Sequence, residues 1–321
     1  MRNNVHDVAL IFEGGGMRNS YSSGLVNVLL ENGIFFNDVY GLSAGATNAI
    51  NYLSRDLWRS KVSFTNYRDD FAFKKSVSLL MKLASIAGGE AHLHGETGGE
   101  ASVRSAVEGR GRGHAPVGST THGRATDSKN GIPFDFAAFE SNPARLTLNA
   151  INRDTGSTAY FTRRDVASCE ELMRRVRASS SYPIIMPPTH IDGRLYYDGG
   201  IGEGGGIMLP RAEADGFSRF FVVCTRPRGY RKPTRINRVY DLFFWRRPRM
   251  RKALDTWAVR YNTELDRLED LEAEGRAFVF YATHQSVENT EMDRARLQKN
   301  YEKGYEEARG QLDAWRRFLG L

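Results

Sequence analysis

"FEGGGMRNSYSSGLVNVLL", residues 12–30, sets three consecutive glycines between an apolar run and an amphipathic one. The preceding "VALIFE" is a short β-rich run. "MRNSYSSGLVNVLLENG" repeats its apolar positions at helical spacing and stops at Gly33, and "VYGL" is a second short strand, so the chain opens as a βαβ unit. The glycines thus stand where a strand hands over to a helix. Backbone N–H groups bared by missing side chains at a helix N-terminus favour negative charge, whether of a phosphate or of an oxyanion, although a plain tight turn fits the same residues. A dinucleotide fingerprint fails, because the frame from Gly14 gives Gly14, Gly16 and then Asn19 in place of the third glycine. A phosphate loop fails too, for want of a following Gly-Lys-Ser/Thr.

Outward from this start, "GLSAG" (Gly41–Gly45) is a G-x-S-x-G between strand and helix. On such a turn Ser43 is held strained with its hydroxyl exposed, and the N–H of Ala44 adds a donor for negative charge. The competing reading is a serine N-cap between two glycines. A nucleophilic serine needs a base. His190, in the turn-rich "PTHIDGRL", and His284, ending the strand "FVFYATH", are the downstream histidines, and the latter suits the residue order of an α/β-hydrolase. Asp198 in "YYDGGIGEGGG" is the other candidate, at the end of an aromatic strand; taken alone, Asp-Gly signals only a turn.

Further along, "ARLTLNAIN" and "TAYF" read as a strand pair around the "NRDTG" turn, "FSRFFVVCTRP" and "RAFVFYAT" as later strands, residues 74–87 as a helix, and the tail from Met292 as one or two helices. Residues 88–131 break the pattern with eleven glycines, four histidines and no aromatic residue. That composition cannot bury a core and points to a disordered insertion or a damaged stretch. Its histidines, His92, His94, His114 and His122, lack metal-ligand spacing, and no metal is expected.

The 321 residues suffice for one large α/β domain or two modest ones. Cys169 and Cys224 are expected as buried apolar side chains rather than a disulfide. No stretch has the length of a membrane span and no signal peptide is legible, so the expected location is cytoplasmic, with peripheral membrane contact. The net charge of +7 is uneven: Arg226 to Arg260 holds twelve Lys or Arg against two acids, interleaved with Tyr230, Phe243, Phe244, Trp245 and Trp257. A solvated helical face with inward-packed aromatics is the plainer reading of that run, and an anionic membrane surface the next; no recognition motif supports nucleic acid.

Three motifs in this order (a glycine loop after the first strand, G-x-S-x-G after the second, and D-G-G about 155 residues later) resemble the patatin-like phospholipases. "ASSSYPIIMPP" ahead of "DGRLYYDGG" and a terminal "NYEKGYEEA" extend the resemblance over residues 5–85 and 132–309. Asn19 departs from it, since the family usually has glycine there. The resemblance implies a three-layer α/β/α fold with a central, mostly parallel sheet. Residues 5–215 would form a catalytic domain, and 216–321 an extension completing the sheet and adding helices. It implies a serine-dependent acyl-ester hydrolase of phospholipase A or lysophospholipase type, needing no cofactor. Ser43 would be the nucleophile, Asp198 its direct base, and Gly14, Gly15 and Gly16 with Ala44 the oxyanion hole. Gly41, Gly45, Gly199 and Gly200 would support the motifs, while Arg18 would brace the loop or meet an anionic headgroup. The rival expectations are a catalytically silent lipid- or protein-binding module on the same fold and an α/β-hydrolase using His284.

Overall fold

A computed structural model describes residues 1–66, 125–126, 132–234 and 238–321. The expected helix over 74–87 and the glycine-rich stretch 88–131, apart from the short strand Ala125–Thr126, lie outside the described residues.

The strands are β1 (Ala9–Phe12), β2 (Asp38–Gly41), β3 (Ala125–Thr126), β4 (Pro133–Phe134), β5 (Arg145–Asn152), β6 (Thr158–Thr162), β7 (Thr189–Ile191), β8 (Arg194–Asp198), β9 (Phe220–Val223) and β10 (Ala277–Phe280). The main sheet follows the hydrogen-bonded path β10-β9-β1-β2-β5-β8-β7, with β6 also paired to β5; β3 and β4 form a separate pair. It is parallel from β10 to β5 and antiparallel beyond.

Side chains alternate across β1, which is why both sheet faces need helices. Leu10 and Phe12 enter a core with Leu25, Val28 and Leu29 of the helix α1 (Asn19–Glu31) and Ile50 of α2 (Ala44–Leu53). Ala9 and Ile11 face the opposite way, onto Leu209 and Ala212 and onto Leu265 and Leu268 of the helix Trp257–Ala273. The result is the expected three-layer α/β/α arrangement, followed by a largely helical C-terminal region.

The "NRDTG" turn forms as read: Asn152 Oδ1 accepts the N–H groups of Asp154 and Thr155 and closes the β5–β6 hairpin. "NYEKGYEEA" lies on the helix Arg294–Gly310, which packs across α1. A Cβ on Gly304 would stand 2.1 Å from the Tyr21 carbonyl oxygen, so the two backbones touch there. Asn300 Nδ2 donates to Ser20 Oγ at 2.8 Å, and Asn27 Nδ2 to the Tyr301 hydroxyl at 2.8 Å. Those contacts clamp the helix that begins at the glycine loop. Asn19, the departure from the family pattern, is fully buried, and its Oδ1 accepts from Asn48 Nδ2 at 3.0 Å, tying α1 to α2.

Candidate active site

The register of β5 explains how residues 155 positions apart come to meet. β6 occupies Thr147–Ile151 on one edge of β5. β2, paired to Arg145–Leu148, and β8, paired to Ala150–Asn152, overlap that span and must both lie on the other edge. β2 runs parallel to β5 and β8 antiparallel, so their C-terminal ends face each other: Gly41 is opposite Leu148 and Asp198 opposite Ala150, with Asn149 between. Asn149 Nδ2 donates to Gly199 O at 3.2 Å across the junction.

Ser43 follows β2 at φ 51° and ψ −131°, a left-handed conformation that costs a serine about 1–3 kcal/mol. Ser43 stands at the N-cap position of α2, but its side chain makes no capping bond to the helix. Instead Ser43 Oγ donates to Asp198 Oδ2 at 2.7 Å. Gly45 allows the turn to pass beneath the first strand, since a Cβ there would lie 2.5 Å from Glu13 O; one on Gly41 would lie 2.7 Å from Gly45 O. "ASSSYP" touches both partners: Ser179 Oγ accepts the Ser43 N–H at 2.8 Å, and Ser181 O accepts the Asp198 N–H at 2.9 Å. After Asp198 the chain turns into a short 3₁₀ segment, Gly199–Ile201, rather than a hairpin, and the Gly200 N–H donates to Asp198 Oδ1 at 2.7 Å.

Burial lifts the Asp198 carboxyl to about 6, against the hydrogen bonds from Ser43 and Gly200 and the charge of Lys232, which favour its ionised form. Ionisation is therefore what folding disfavours. Below the ordinary carboxylate value of 3.8 there is no penalty, and as the pH rises through about 6 the folded state gives up about 3 kcal/mol. Asp198→Asn is accordingly expected to melt several degrees above the unsubstituted protein at pH 8 and to keep only about half of that advantage at pH 5. Calorimetry showing the same difference at both pH values would refute the shift.

The glycine loop lies against the serine. A Cβ on Gly14 would stand 3.0 Å from Ser43 Cβ, and the loop turns at Gly15 (φ 155°) and Gly16 (φ 56°) into the 3₁₀ segment Gly16–Arg18. The Gly14 N–H faces Gly206 O at 3.5 Å. Behind the loop sits Glu13, which the motifs gave no reason to single out. It is buried, its Oε1 accepts the Tyr261 hydroxyl at 2.6 Å, and its Oε2 accepts from the N–H and hydroxyl of Thr225. The only signal for it in the sequence was an acid ending an apolar strand.

A cavity of about 250 Å³ opens onto Ser43, Asp198, Gly14, Gly15, Gly16 and Arg18, walled by Leu42, Tyr182, Leu254 and Trp257. Neither histidine reaches it. His284 is 70 % exposed beside Glu307, four residues beyond β10, and His190 is exposed in β7, a strand rather than the expected loop. The His284-based alternative is thereby set aside. Cys224 is buried as expected and Cys169 only half-buried. Among the described residues no cluster of metal-ligating side chains occurs and no helix is long and apolar enough to cross a membrane.

The basic run departs from its plainer reading. Residues 226–234 are not helical, and Arg226 and Lys232 line the cavity. On the helix Arg238–Phe244 and the turn after it, Phe244 packs inward against Tyr197, while Leu242, Phe243 and Trp245 are 72 %, 44 % and 70 % exposed.

A family model described as patatin-like phospholipase matches residues 10–210, well over half of the chain, and one described as a domain of unknown function (DUF6363) matches residues 247–320. No curated protein sequence matches. Among solved structures, the chain is similar to VipD from Legionella pneumophila at 15 % identity and a TM-score of 0.46, over 96 % of this chain and 67 % of that one. The chain belongs to the patatin-like phospholipase family.

Proposed function

We propose that this protein is a serine-dependent acyl-ester hydrolase acting on lipids, with phospholipase A or lysophospholipase chemistry. The hydrogen bond from Ser43 Oγ to Asp198 Oδ2, made by a strained serine at a cavity wall, is the observation that carries the reading. Ser43 Oγ attacks the ester carbonyl and its proton passes to Asp198, which then protonates the departing alcohol. The charge on the carbonyl oxygen falls to backbone N–H groups. Gly14 already faces Gly206 O, so the loop's share belongs mainly to Gly15 and Gly16, with Ala44 at the start of α2. Water, deprotonated by Asp198, then releases the acyl group from Ser43. In this reading residues 5–215 carry the chemistry, and 216–321 supply two strands of the sheet and the far cavity wall. A fluorophosphonate probe should label Ser43 in the intact protein and leave the Ser43→Ala variant unlabelled; absence of labelling favours the catalytically silent binding module.

The setting we infer is the face of an anionic bilayer. Leu242, Phe243 and Trp245 project from the same segment whose Tyr240 lines the cavity, and Arg246 lies over the Trp245 ring at 5.4 Å, so apolar and basic groups share one face. Replacing Leu242 and Trp245 together by Ser should lower sedimentation with phosphatidylglycerol-containing vesicles at least tenfold, with neutral vesicles bound weakly by both proteins. Equal binding of the two proteins to anionic vesicles would exclude this face.

A further inference from the structure

Thr225, in "VVCTRP", stands just beyond the end of β9 and is fully buried behind the glycine loop, away from the cavity wall. Its hydroxyl oxygen lies 3.1 Å from Gly14 O and 3.2 Å from Glu13 Oε2. One proton therefore faces two acceptors. Glu13 Oε2 already receives the Thr225 N–H, whereas among the described residues the buried Gly14 carbonyl has no other donor, so the hydroxyl is what keeps that carbonyl from being orphaned. The fit is close: a Cβ on Gly15 would stand 2.6 Å from Thr225 Oγ1.

That bond matters for what lies at the other end of the same peptide. In a planar trans peptide the C=O of one residue and the N–H of the next point in opposite directions. Pinning Gly14 O against Thr225 therefore turns the Gly15 N–H the other way, toward the cavity that Gly15 lines together with Ser43. Gly15 O accepts the Arg18 N–H at 3.3 Å, which fixes the Gly16 N–H by the same geometry. Among the described residues neither of these two N–H groups has an acceptor. Gln285 holds the arrangement from outside: its Nε2 donates to Arg18 O at 3.2 Å and to Thr225 O at 3.4 Å, so its two amide protons tie the far end of the loop to the residue behind it.

We propose that Thr225 is a positioning residue for the oxyanion hole: its hydroxyl aims the Gly15 N–H at the carbonyl oxygen of the ester under attack, and Gln285 keeps Thr225 in register with the loop. The inference rests on the hydrolase reading. Neither side chain meets the substrate; each acts through the peptide it fixes. A donor already aimed needs no reorganisation as charge develops, whereas a peptide free to rotate must be turned at the moment of reaction. The effect belongs to turnover rather than to binding, because the oxyanion asks more of the donor than the ground-state carbonyl does.

Thr225→Val keeps the shape of threonine and removes the hydroxyl, so it isolates the bond. On a p-nitrophenyl ester it is expected to lower kcat about 10- to 100-fold with KM changed less than about twofold, and Thr225→Ser, which restores the hydroxyl, should recover most of the loss. Gln285→Met should lower kcat in the same way but by less, and Gln285→Glu by more than Gln285→Met, since it sets an acceptor against two carbonyl oxygens. Gln285 is only half-buried, so these variants carry the test should Thr225→Val fold poorly. A second readout is independent of catalysis. In protein made with isotope-labelled glycine, the Gly15 amide resonance should move in Thr225→Val and return in Thr225→Ser, while those of Gly216 and Gly275 stay in place. An unmoved Gly15 resonance, a KM that rises at constant kcat, or a Thr225→Ser enzyme as slow as Thr225→Val overturns the proposal. Fluorophosphonate labelling that is equally fast in Thr225→Val and the unsubstituted protein overturns it too. Should the unsubstituted protein resist the probe, the hydrolase reading fails instead, and the Gly15 resonance still decides whether the hydroxyl fixes the peptide.

Discussion

Ser43→Ala is expected to lower ester hydrolysis by on the order of 10⁴-fold or more with the fold intact, since a single hydroxyl leaves a half-buried turn. Asp198→Asn should lose nearly as much, because an amide accepts the Ser43 hydrogen bond but cannot take its proton, and the double variant should be little worse than either. Multiplying losses in steady-state kinetics would mean that the two side chains act separately. Both partners are held in states the fold disfavours: one strained at φ 51°, the other a carboxylate kept from water. Ser43→Gly, which removes the strain together with the nucleophile, should therefore melt above Ser43→Ala.

The second large effect is expected at Gly16. Its φ of 56° is left-handed, and a Cβ would fall 2.2 Å from the Asn289 carbonyl oxygen, the group that accepts the Met17 N–H at 3.0 Å. Gly16→Ala must push the loop away from residue 289 and swing its N–H groups off the developing oxyanion, a loss of about 10²- to 10³-fold in kcat. Gly193 is the control. It has φ 74° and open space around it, so Gly193→Ala should cost about 1–2 kcal/mol of stability by chemical denaturation and nothing in kcat. A Gly16→Ala enzyme with undiminished kcat would remove the loop from the oxyanion site.

The first fifty residues are legible because each local signal agrees with the next: the β-branched run of β1, the helical spacing of α1 and the glycine-bracketed serine are short-range features that packing then confirms. Ser43 and Asp198 are legible by motif. Glu13, Tyr261 and Thr225 are not, since their bonds span 212 and 248 positions and nothing local marks them. The basic run misleads for a related reason. Its helices are seven and eight residues long and broken by Pro248, too short for periodicity to tell an inward Phe244 from an outward Trp245.

The meeting of two strand ends on one edge of β5 also sets when Ser43 and Asp198 can come together. Ser43 leaves the ribosome early; its partner follows 155 residues later, and Tyr261, which ties down the carboxylate behind the glycine loop, 248 residues after that carboxylate. At about 5–20 residues per second, the latter interval is on the order of 10 to 50 s of synthesis. For most of it β1 lacks the neighbour β9 that borders it in the finished sheet. A nascent chain thus carries Ser43 without its hydrogen-bond partner until the later strands of the sheet have been made.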